Sequence, residues 1–416
     1  MIRRVVSAWV RGAFRAVAIV GLVGLAVLRG ADASASPIVI LVSIDGMRWD
    51  YLDLHAPPHL QALAAGGVRL SRLIPISPSK TYPNHYALVT GLRADHHGIV
   101  GNEMSDPALP MFFRLSDRAA LADPRWWLGE PVWVTAGRQG LRTASMFWPG
   151  SETVIRGRRP NYWHTYEHER PHADRVAQVL AWLDLPPAER PALITLYFAA
   201  VDDAGHRYGP TAPETRAALL DVDRHLGDLV AGISARGLDD RVTLVVASDH
   251  GMTEVSPDRL VYLDDVLPKE SIRPEFLGPV GGLRAEPAEI EALVDRLRAL
   301  AHVRVLRKTE LPEALGYGRS PRVPDVLVFA DEGWLVTTRA AAERRDWSRV
   351  AGDHGFDPAY GSMGASLIAR GPGLLRGAVL PAMENIHLYN FLCERLGITP
   401  AANDGDDRLI RAAVAR

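Results

Sequence analysis

Residues 38–46 read IVILVSIDG, and this stretch indicates the class of fold. Residues 38–44 are apolar except for Ser43, and Asp45 and Gly46 follow directly. A strand that is exposed on one face alternates apolar and polar residues, whereas an unalternating strand is buried on both faces, as in a parallel sheet. The stretch therefore predicts a central strand of an α/β protein, with a carboxylate where the strand ends.

Segments further along the chain repeat this pattern. Amphipathic periodicity predicts helices over 175–185 and 213–235, and apolar runs predict strands over 193–201 and 242–247. Such an alternation indicates a mostly parallel central sheet with helices on both faces. These sheets bind ligands beyond the carboxyl ends of their strands. The acidic residues at the predicted strand ends are Asp45, Asp202 and Asp249.

Residues 36–416 are interpreted as one α/β domain with a smaller insertion. The segment 257–337 differs from its surroundings, because short predicted strands (303–306 and 326–329) and a helix (289–301) are joined there by connections rich in Pro and Gly. We predict an inserted subdomain over about 257–337.

The first 35 residues have the order of a secretory signal peptide. A basic start precedes an apolar run over 16–28, and small residues follow at 33–35. The run is shorter than the roughly 20 residues that a membrane span needs. We predict cleavage after Ala35, export to the periplasm or the medium, and no stable membrane span after cleavage. The alternative is an uncleaved N-terminal anchor.

The composition excludes some partners. The 416 residues carry a formal net charge of −2, so no basic surface for a specific nucleic-acid partner is evident, and the 14 histidines need another explanation. Cys393 is the only cysteine, which excludes a disulfide within the chain, and its apolar helical surroundings predict a small buried side chain.

Two motifs pair a carboxylate with a histidine. In DDAGH, Asp202 and His206 are four residues apart, so one helical turn can direct both at a single ion. In SDHGM, Asp249 and His250 follow a predicted strand, and the next glycine permits the backbone to turn. His354 lies in a further His-Gly pair, DHGFD.

A hydroxyl stands at the start of another predicted helix, in KTYPNHYALVTG at residues 80–91. Pro83 suits a first helical turn, and Gly91 suits the end of the helix. Thr81 has two interpretations, a helix N-cap or a hydroxyl beside an anion bound at the helix start. Asp45 likewise is either a turn residue or a ligand. Three histidines, three carboxylates and one hydroxyl together are enough for two zinc ions with open positions.

With these motifs in place, the sequence resembles the nucleotide pyrophosphatase/phosphodiesterase family of the alkaline phosphatase superfamily. The resemblance spans about residues 38–406 in the family's order. The stretches that carry it are ILVSIDG, KTYPNHYALVTG, HGIVGNEM, FWPG, DDAGHRYGP, VVASDHGM, DHGFD and LGITPAANDG.

The resemblance implies a phosphodiesterase catalytic domain with two Zn²⁺. One zinc would be held by Asp202, His206 and His354. The other would be held by Asp45, Thr81, Asp249 and His250. Thr81 would be the nucleophile, forming a covalent phosphothreonine intermediate.

The resemblance also implies a small nucleotide or phosphodiester substrate. Asn102 would contact a non-bridging phosphate oxygen. Tyr82 takes the place of the Phe that often follows the nucleophile in the family, keeps its aromatic face, and would stack on the base. An aromatic residue ahead of the DDAGH motif would stack on the base, and Trp163 and Tyr166 are the candidates.

Three alternatives stay open. A phosphomonoesterase of the superfamily typically adds an Arg clamp or a further metal, and neither Arg48 nor Arg93 matches such a clamp. The same centre could act on lysophospholipid or choline-phosphate esters. A zinc-stabilised binding protein without turnover would have no need of Thr81.

Overall fold

The computed structural model describes residues 36–268 and 273–415. The predicted signal peptide lies outside these residues. None of the helices in the described part of the chain combines the length and the apolar character that crossing a membrane requires.

A mixed eight-stranded sheet forms the centre of the fold, and most of its neighbouring strands are parallel. The antiparallel exceptions are the two pairings of β18 (Leu367–Arg370). From one edge to the other, the strands are β19 (Ala378–Leu380), β2 (Val68–Leu70), β18, β9 (Val242–Ala247), β1 (Ile38–Ile44), β8 (Leu193–Phe198), β6 (Thr143–Met146) and β7 (Tyr162–Trp163).

The helices differ in length from one turn to six. They are α1 (Tyr51–Leu54), α2 (Pro58–Ala65), α3 (Thr81–Thr90), α4 (Ala94–His97), α5 (Arg118–Ala122), α6 (Val132–Arg138), α7 (His172–Leu183), α8 (Ala200–Tyr208), α9 (Pro213–Ala235), α10 (Ile290–Leu297), α11 (Arg339–Arg344), α12 (Leu388–Leu396) and α13 (Arg408–Ala413).

Both faces of the central sheet are buried, as the unalternating strands predict. Val39 and Leu41 of β1 belong to one hydrophobic core, whereas Ile40 and Val42 belong to another on the opposite face. All seven residues of β1 are buried. The prediction of an α/β fold with a mostly parallel sheet is therefore confirmed. Cys393, on α12, is buried as well.

A second, antiparallel sheet lies within the segment 257–337. Its strands are β12 (Pro274–Phe276), β13 (Val280–Leu283), β15 (Val326–Ala330) and β14 (Val303–Arg307), in that order across the sheet. It packs with α10 around a third core. The boundaries of the inserted subdomain stay a prediction.

Four two-stranded pairs complete the strands of the described residues. They are β3 (Leu73–Ile74) with β20 (Met383–Glu384), β4 (Glu103–Met104) with β5 (Phe113–Arg114), β10 (Thr253–Glu254) with β17 (Gly352–Asp353), and β11 (Leu260–Tyr262) with β16 (Leu335–Thr337).

Most predicted elements are present, some with bounds that differ by a few residues: the helices predicted over 175–185 and 289–301 are observed as α7 (His172–Leu183) and α10 (Ile290–Leu297). The strands predicted over 38–44 and 242–247 and the helix over 213–235 have the observed bounds. The strand predicted over 193–201 is too long, because β8 ends at Phe198 and α8 begins at Ala200. Periodicity cannot separate a short buried strand from the helix that follows it when both are apolar. Asp202 consequently lies in the first turn of a helix, where a negative charge is favoured by the helix dipole.

Candidate active site

The carboxyl end of β1 brings Asp45 close to a neighbouring loop and a helix. Gly46 adopts a φ of +68°, and its N–H donates to Asp249 Oδ1 over 3.2 Å. A Cβ atom at Gly46 would lie 3.0 Å from the Cα of Asp202. A glycine at this position therefore permits both the turn and the approach of α8, so that three carboxylates converge beyond the end of one strand.

The carboxylate of Asp45 is held in a setting that disfavours its negative charge. Burial raises the pKa of Asp45 well above its ordinary value, and the neighbouring charges of Asp249 and Asp202 raise it further. Asp45 Oδ1 and Asp202 Oδ1 are buried and have no hydrogen-bond partner among the described residues. Unpaired, buried carboxylate oxygens that face one another are the donor set that a divalent cation satisfies.

Three histidines present the same ring nitrogen to these carboxylates. The Nδ1 atom of each lies 2.9 Å from a backbone carbonyl: Gly352 for His206, Gly251 for His250, and Ser79 for His354. Because a carbonyl can only accept, Nδ1 carries the hydrogen in each neutral ring and Nε2 is left with a free lone pair.

The ligand atoms fall into neighbouring groups that share members. Asp202, His206 and His354 form one group whose ligand atoms all lie within 4.8 Å of one another. Asp45 and Asp202 form another group with His250, and Asp45 and Asp249 form a third with His85. The structure thus brings all six predicted protein ligands other than Thr81 into one centre that suits metal ions, with Asp202 facing both sides of it.

Thr81 lies beside this centre as the first residue of α3. Its Oγ1 is 3.3 Å from His250 Nε2. The N-cap of α3 is Lys80, whose side chain makes no capping hydrogen bond. The interpretation of Thr81 as the helix N-cap is therefore wrong, and its hydroxyl faces His250, one of the candidate metal ligands, instead.

Two residues that the sequence analysis did not select support this arrangement. His85 lies one turn after Thr81, with Nε2 2.7 Å from Ser43 Oγ and Nδ1 3.2 Å from Asp249 Oδ2. The hydroxyl of Tyr197 donates to Asp45 Oδ2 over 2.7 Å. The four-residue spacing from Thr81 to His85 was a usable signal, because it places both on one helix face. Tyr197 gave no comparable signal, since it contacts Asp45 from the neighbouring strand β8, which is distant in sequence.

A pocket of about 470 Å³ opens from Thr81 and Asp202. Its aromatic lining residues are Tyr82, Trp127, Phe147, Trp148, Tyr166 and Tyr197. Two of the three predicted stacking residues, Tyr82 and Tyr166, therefore lie in the pocket. Trp163 is not among the described residues that line it. Its ring lies on the edge strand β7 beneath Arg159, at 4.3 Å from the guanidinium carbon.

Asn102 lies beside the first turn of α3, where its Oδ1 accepts a hydrogen bond of 2.9 Å from the N–H of Tyr82. Because Oδ1 is engaged in this way, the NH₂ group is the part of the amide that stays available as a donor. The structure therefore places Asn102 against Tyr82, the residue that follows Thr81. Its contact with a phosphate oxygen stays a prediction.

Comparison with known proteins gives a consistent result. A family model described as type I phosphodiesterase / nucleotide pyrophosphatase matches residues 39–357. Ectonucleotide pyrophosphatase/phosphodiesterase family member 3 from Rattus norvegicus is 36% identical over 381 residues, which are 89% of this chain and 43% of that protein. Venom phosphodiesterase CdcPDE from Crotalus durissus collilineatus is 36% identical over 382 residues, 89% of this chain and 45% of the relative. The chain thus spans less than half the length of these curated relatives.

Two solved structures match this chain over their own full length. Murine ectonucleotide pyrophosphatase / phosphodiesterase 5, in an inactive form in complex with AMP, has a TM-score of 0.84 and 32% identity. The match covers 91% of this chain and 100% of the murine one. The human protein of the same name gives a TM-score of 0.85 with the same identity and coverage.

Proposed function

Because this chain belongs to the type I phosphodiesterase / nucleotide pyrophosphatase family, we propose that it is a hydrolase of nucleotide phosphodiester and pyrophosphate bonds that uses Thr81 as its nucleophile and two zinc ions as cofactors. The observation that carries the proposal is the position of the Thr81 hydroxyl, uncommitted to capping and 3.3 Å from His250 Nε2. The AMP bound to the murine relative supports a nucleotide substrate.

The residues that would hold the two ions follow from the groups described above. Asp202, His206 and His354 would hold one zinc, and Asp45, Asp249, His250 and the Thr81 oxygen would hold the other. Nitrogen and oxygen ligands in these numbers suit zinc. Bound zinc lowers the pKa of coordinated hydroxyl groups and water and stabilises the charge that develops on the attacking and leaving oxygens.

Side chains and backbone groups of this chain would carry out the two displacement steps at phosphorus. Thr81 loses its proton to solvent, Oγ1 forms a bond to phosphorus, and the bond from phosphorus to the leaving oxygen breaks with its electron pair. The amide NH₂ of Asn102 and the N-terminal end of α3 bind the non-bridging oxygen. Water then attacks the phosphothreonine diester, which restores the hydroxyl of Thr81 and releases the nucleoside monophosphate.

The charge of the site favours diesters over monoesters. A monoester dianion carries one more negative charge, which calls for a dedicated cation. The two arginines near the motifs are already paired with carboxylates, Arg48 with Asp50 and Arg93 with Glu384, and do not provide this cation. The aromatic lining supports nucleotides over lysophospholipid or choline-phosphate esters, because bases stack on aromatic rings.

Export is part of the same proposal. One relative is named an ectonucleotide pyrophosphatase/phosphodiesterase and another a venom phosphodiesterase. Amino-terminal sequencing of the mature protein, expected to begin at Ser36, would test this point, and an intact N-terminus would favour the retained anchor.

Product analysis tests the reaction. Zinc-loaded protein should convert ATP to AMP and pyrophosphate, whereas ADP and orthophosphate as main products would contradict the proposal. Prolonged treatment with a chelator should abolish this activity, and added zinc should restore it, because the carboxylates and histidines have a metal as their shared partner. Full activity of protein verified to be free of metal would overturn the zinc assignment.

A further inference from the structure

Arginines gather at the amino ends of the central strands, at the edge of the sheet opposite the catalytic residues. Strands β9, β1, β8 and β6 lie side by side and run parallel. Arg142 directly precedes β6, Arg241 directly precedes β9, and Arg190 lies three residues before β8. Because parallel strands begin at one edge of the sheet and end at the other, the fold brings these three arginines to a common edge.

The backbone of the arginine-bearing segments is fixed by the sheet itself. The carbonyl of Arg142 accepts a hydrogen bond of 2.8 Å from the N–H of Ala192. The carbonyl of Arg241 accepts one of 2.9 Å from the N–H of Ile38. The side chains therefore extend from fixed positions, and replacing them leaves these backbone bonds in place.

A cavity of about 420 Å³ lies at this edge of the sheet, and we call it the arginine cavity. Its volume is in the range of small-ligand sites. Arg142, Arg190 and Arg241 line it, and none of the described residues in the lining is acidic. Glu189 and Asp240, the acidic neighbours of two of these arginines in the sequence, are not part of the lining. A cavity with charges of one sign raises the local concentration of counter-ions.

Two of the arginines have donors that no described residue uses. Arg190 Nε is buried and has no hydrogen-bond partner in the described part of the chain. Asp184, with which Arg190 interacts electrostatically, is bonded through both oxygens to Arg236, over 2.7 and 2.6 Å. Arg142 donates from Nε to the carbonyl of Ala188 over 2.8 Å, which leaves its two terminal NH₂ groups for a ligand. A buried donor without a partner is costly unless a bound group satisfies it.

The third arginine and an amide complete the donor set. Arg241 Nη2 donates to the carbonyl of Ser36 over 2.8 Å, at the predicted start of the mature chain. Asn161 also lines the arginine cavity, and its Oδ1 accepts from the N–H of Thr143 over 2.9 Å. Its NH₂ group is therefore the part that stays available. Guanidinium and amide donors without a carboxylate form a site for an anion, and the planar guanidinium fork matches the oxygens of phosphate.

We propose that the arginine cavity is a second ligand site, which binds a phosphate dianion. Three guanidinium groups match the double charge of this ion better than the single charge of a carboxylate. The seven residues of β1 separate the cavity from Asp45, a distance of about 23 Å at 3.3 Å per residue. A phosphate bound here is therefore outside the catalytic centre. The proposal does not depend on the function proposed above.

Equilibrium dialysis with radiolabelled inorganic phosphate tests the proposal. The zinc-loaded mature protein, at a salt concentration of about 0.15 M, should bind one phosphate in addition to any held at the zinc centre. Arg190→Gln should weaken binding of this additional phosphate by roughly 10- to 100-fold, the effect of losing a hydrogen bond to a charged group. The inhibition constant of phosphate against substrate cleavage reports on the catalytic centre and should be the same in parent and variant.

A nearly isosteric variant tests the sign of the charge. Asn161→Asp keeps the oxygen that accepts from Thr143 and replaces the NH₂ group with a second carboxylate oxygen, so it should weaken phosphate binding as Arg190→Gln does. Arg408→Gln removes the same charge as Arg190→Gln from an exposed position on α13, where Arg408 is paired with Asp406, and should bind phosphate like the parent. Circular dichroism and substrate cleavage establish that each variant is folded.

The possible outcomes either support or overturn the second site. Absence of an additional phosphate in the parent, or unchanged binding in both Arg190→Gln and Asn161→Asp, would overturn it. Displacement of phosphate by an equal concentration of acetate would show only general attraction of anions, and a changed inhibition constant in the variants would place their effect at the zinc centre. Either result also counts against the proposal.

A vesicle assay distinguishes two sources of the phosphate group. Retention of the parent on phosphatidylcholine vesicles that contain phosphatidic acid, weakened by Arg190→Gln and not by Arg408→Gln, would identify a lipid headgroup as a ligand of the site. Binding of inorganic phosphate without retention on these vesicles would identify a soluble phosphate compound. Both results support a phosphate site in the arginine cavity.

Discussion

At the scale of the residue, Thr81 shows how position decides between two uses of one hydroxyl. A threonine one place earlier in this helix would accept a hydrogen bond from the first turn. Thr81 instead lies inside α3 as its first residue, and Lys80 occupies the capping position without a side-chain capping hydrogen bond. The hydroxyl is therefore free to face His250.

We expect Thr81→Ala to lose nearly all turnover, because it lacks the attacking oxygen, and Thr81→Ser to keep part of it, because Ser retains the oxygen without the methyl group that fixes its rotamer. Loss of an N-cap costs about 1 kcal/mol, and the free energy of unfolding should change by less than this amount. Steady-state kinetics and chemical denaturation measure the two effects.

Thr90→Ser, at the other end of the same helix, is the matched control and should keep its activity, since Thr90 Oγ1 donates only to the carbonyl of Tyr86. Turnover of Thr81→Ala at the rate of the parent would contradict the assignment of Thr81 as the nucleophile. A loss of stability as large as that expected for a lost helix cap would contradict it as well.

At the scale of the element, the loop before α3 is held in place by one buried amide. Asn84 Oδ1 accepts from the N–H of Ile76 over 2.7 Å, and Asn84 Nδ2 donates to the carbonyls of Pro78 and Lys80, both over 2.9 Å. Asn385 also donates to Asn84 Oδ1 over 2.8 Å. A side chain inside α3 therefore fixes the segment that positions Thr81 beside the candidate metal ligands.

Asn84→Ala should lower the free energy of unfolding by roughly 2–4 kcal/mol, because several buried backbone groups lose their partner at once. It should also lower kcat, since the loop no longer holds the start of α3 in register with His250. Urea denaturation and kinetics at saturating substrate measure both.

Asn161→Ala provides the comparison, because Asn161 Oδ1 accepts only from the N–H of Thr143 at the far edge of the central sheet. It should cost less stability and leave kcat unchanged. Parent-like stability and activity in Asn84→Ala would show that the loop is held by other contacts.

At the scale of the whole molecule, burial of neutral histidines makes the fold sensitive to acid. Burial lowers the pKa of His97 to about 3, well below its ordinary 6.5. His97 is fully buried, and its Nδ1 accepts from the N–H of Ile99 over 3.1 Å. Below pH 6.5 the unfolded chain binds a proton at this residue and the folded chain does not, so stability falls as the pH falls towards 3.

His97→Asn should therefore lose less stability on acidification than the parent does, by about 2 kcal/mol between pH 6.5 and pH 5. Asn keeps an acceptor for the N–H of Ile99 and does not titrate. Denaturation of chelated protein at the two pH values measures the difference, and this comparison cancels the common contribution of the other histidines. If the free energy of unfolding depends on pH identically in the parent and in His97→Asn, the lowered pKa of His97 is refuted.

The sequence by itself determined the sheet, its burial on both faces, and the residues at its carboxyl end. These features follow from local periodicity and from the rule that parallel strands present their carboxyl ends at one edge, so Asp45 and Asp249 were predictable from their own segments. Tertiary structure alone decided which groups touch. It places Asp202 in two candidate metal-binding groups, bonds Tyr197 to Asp45, and puts Tyr166 but not Trp163 in the lining of the pocket. Contacts of this kind depend on how separate elements pack, and no single stretch of chain carries that information.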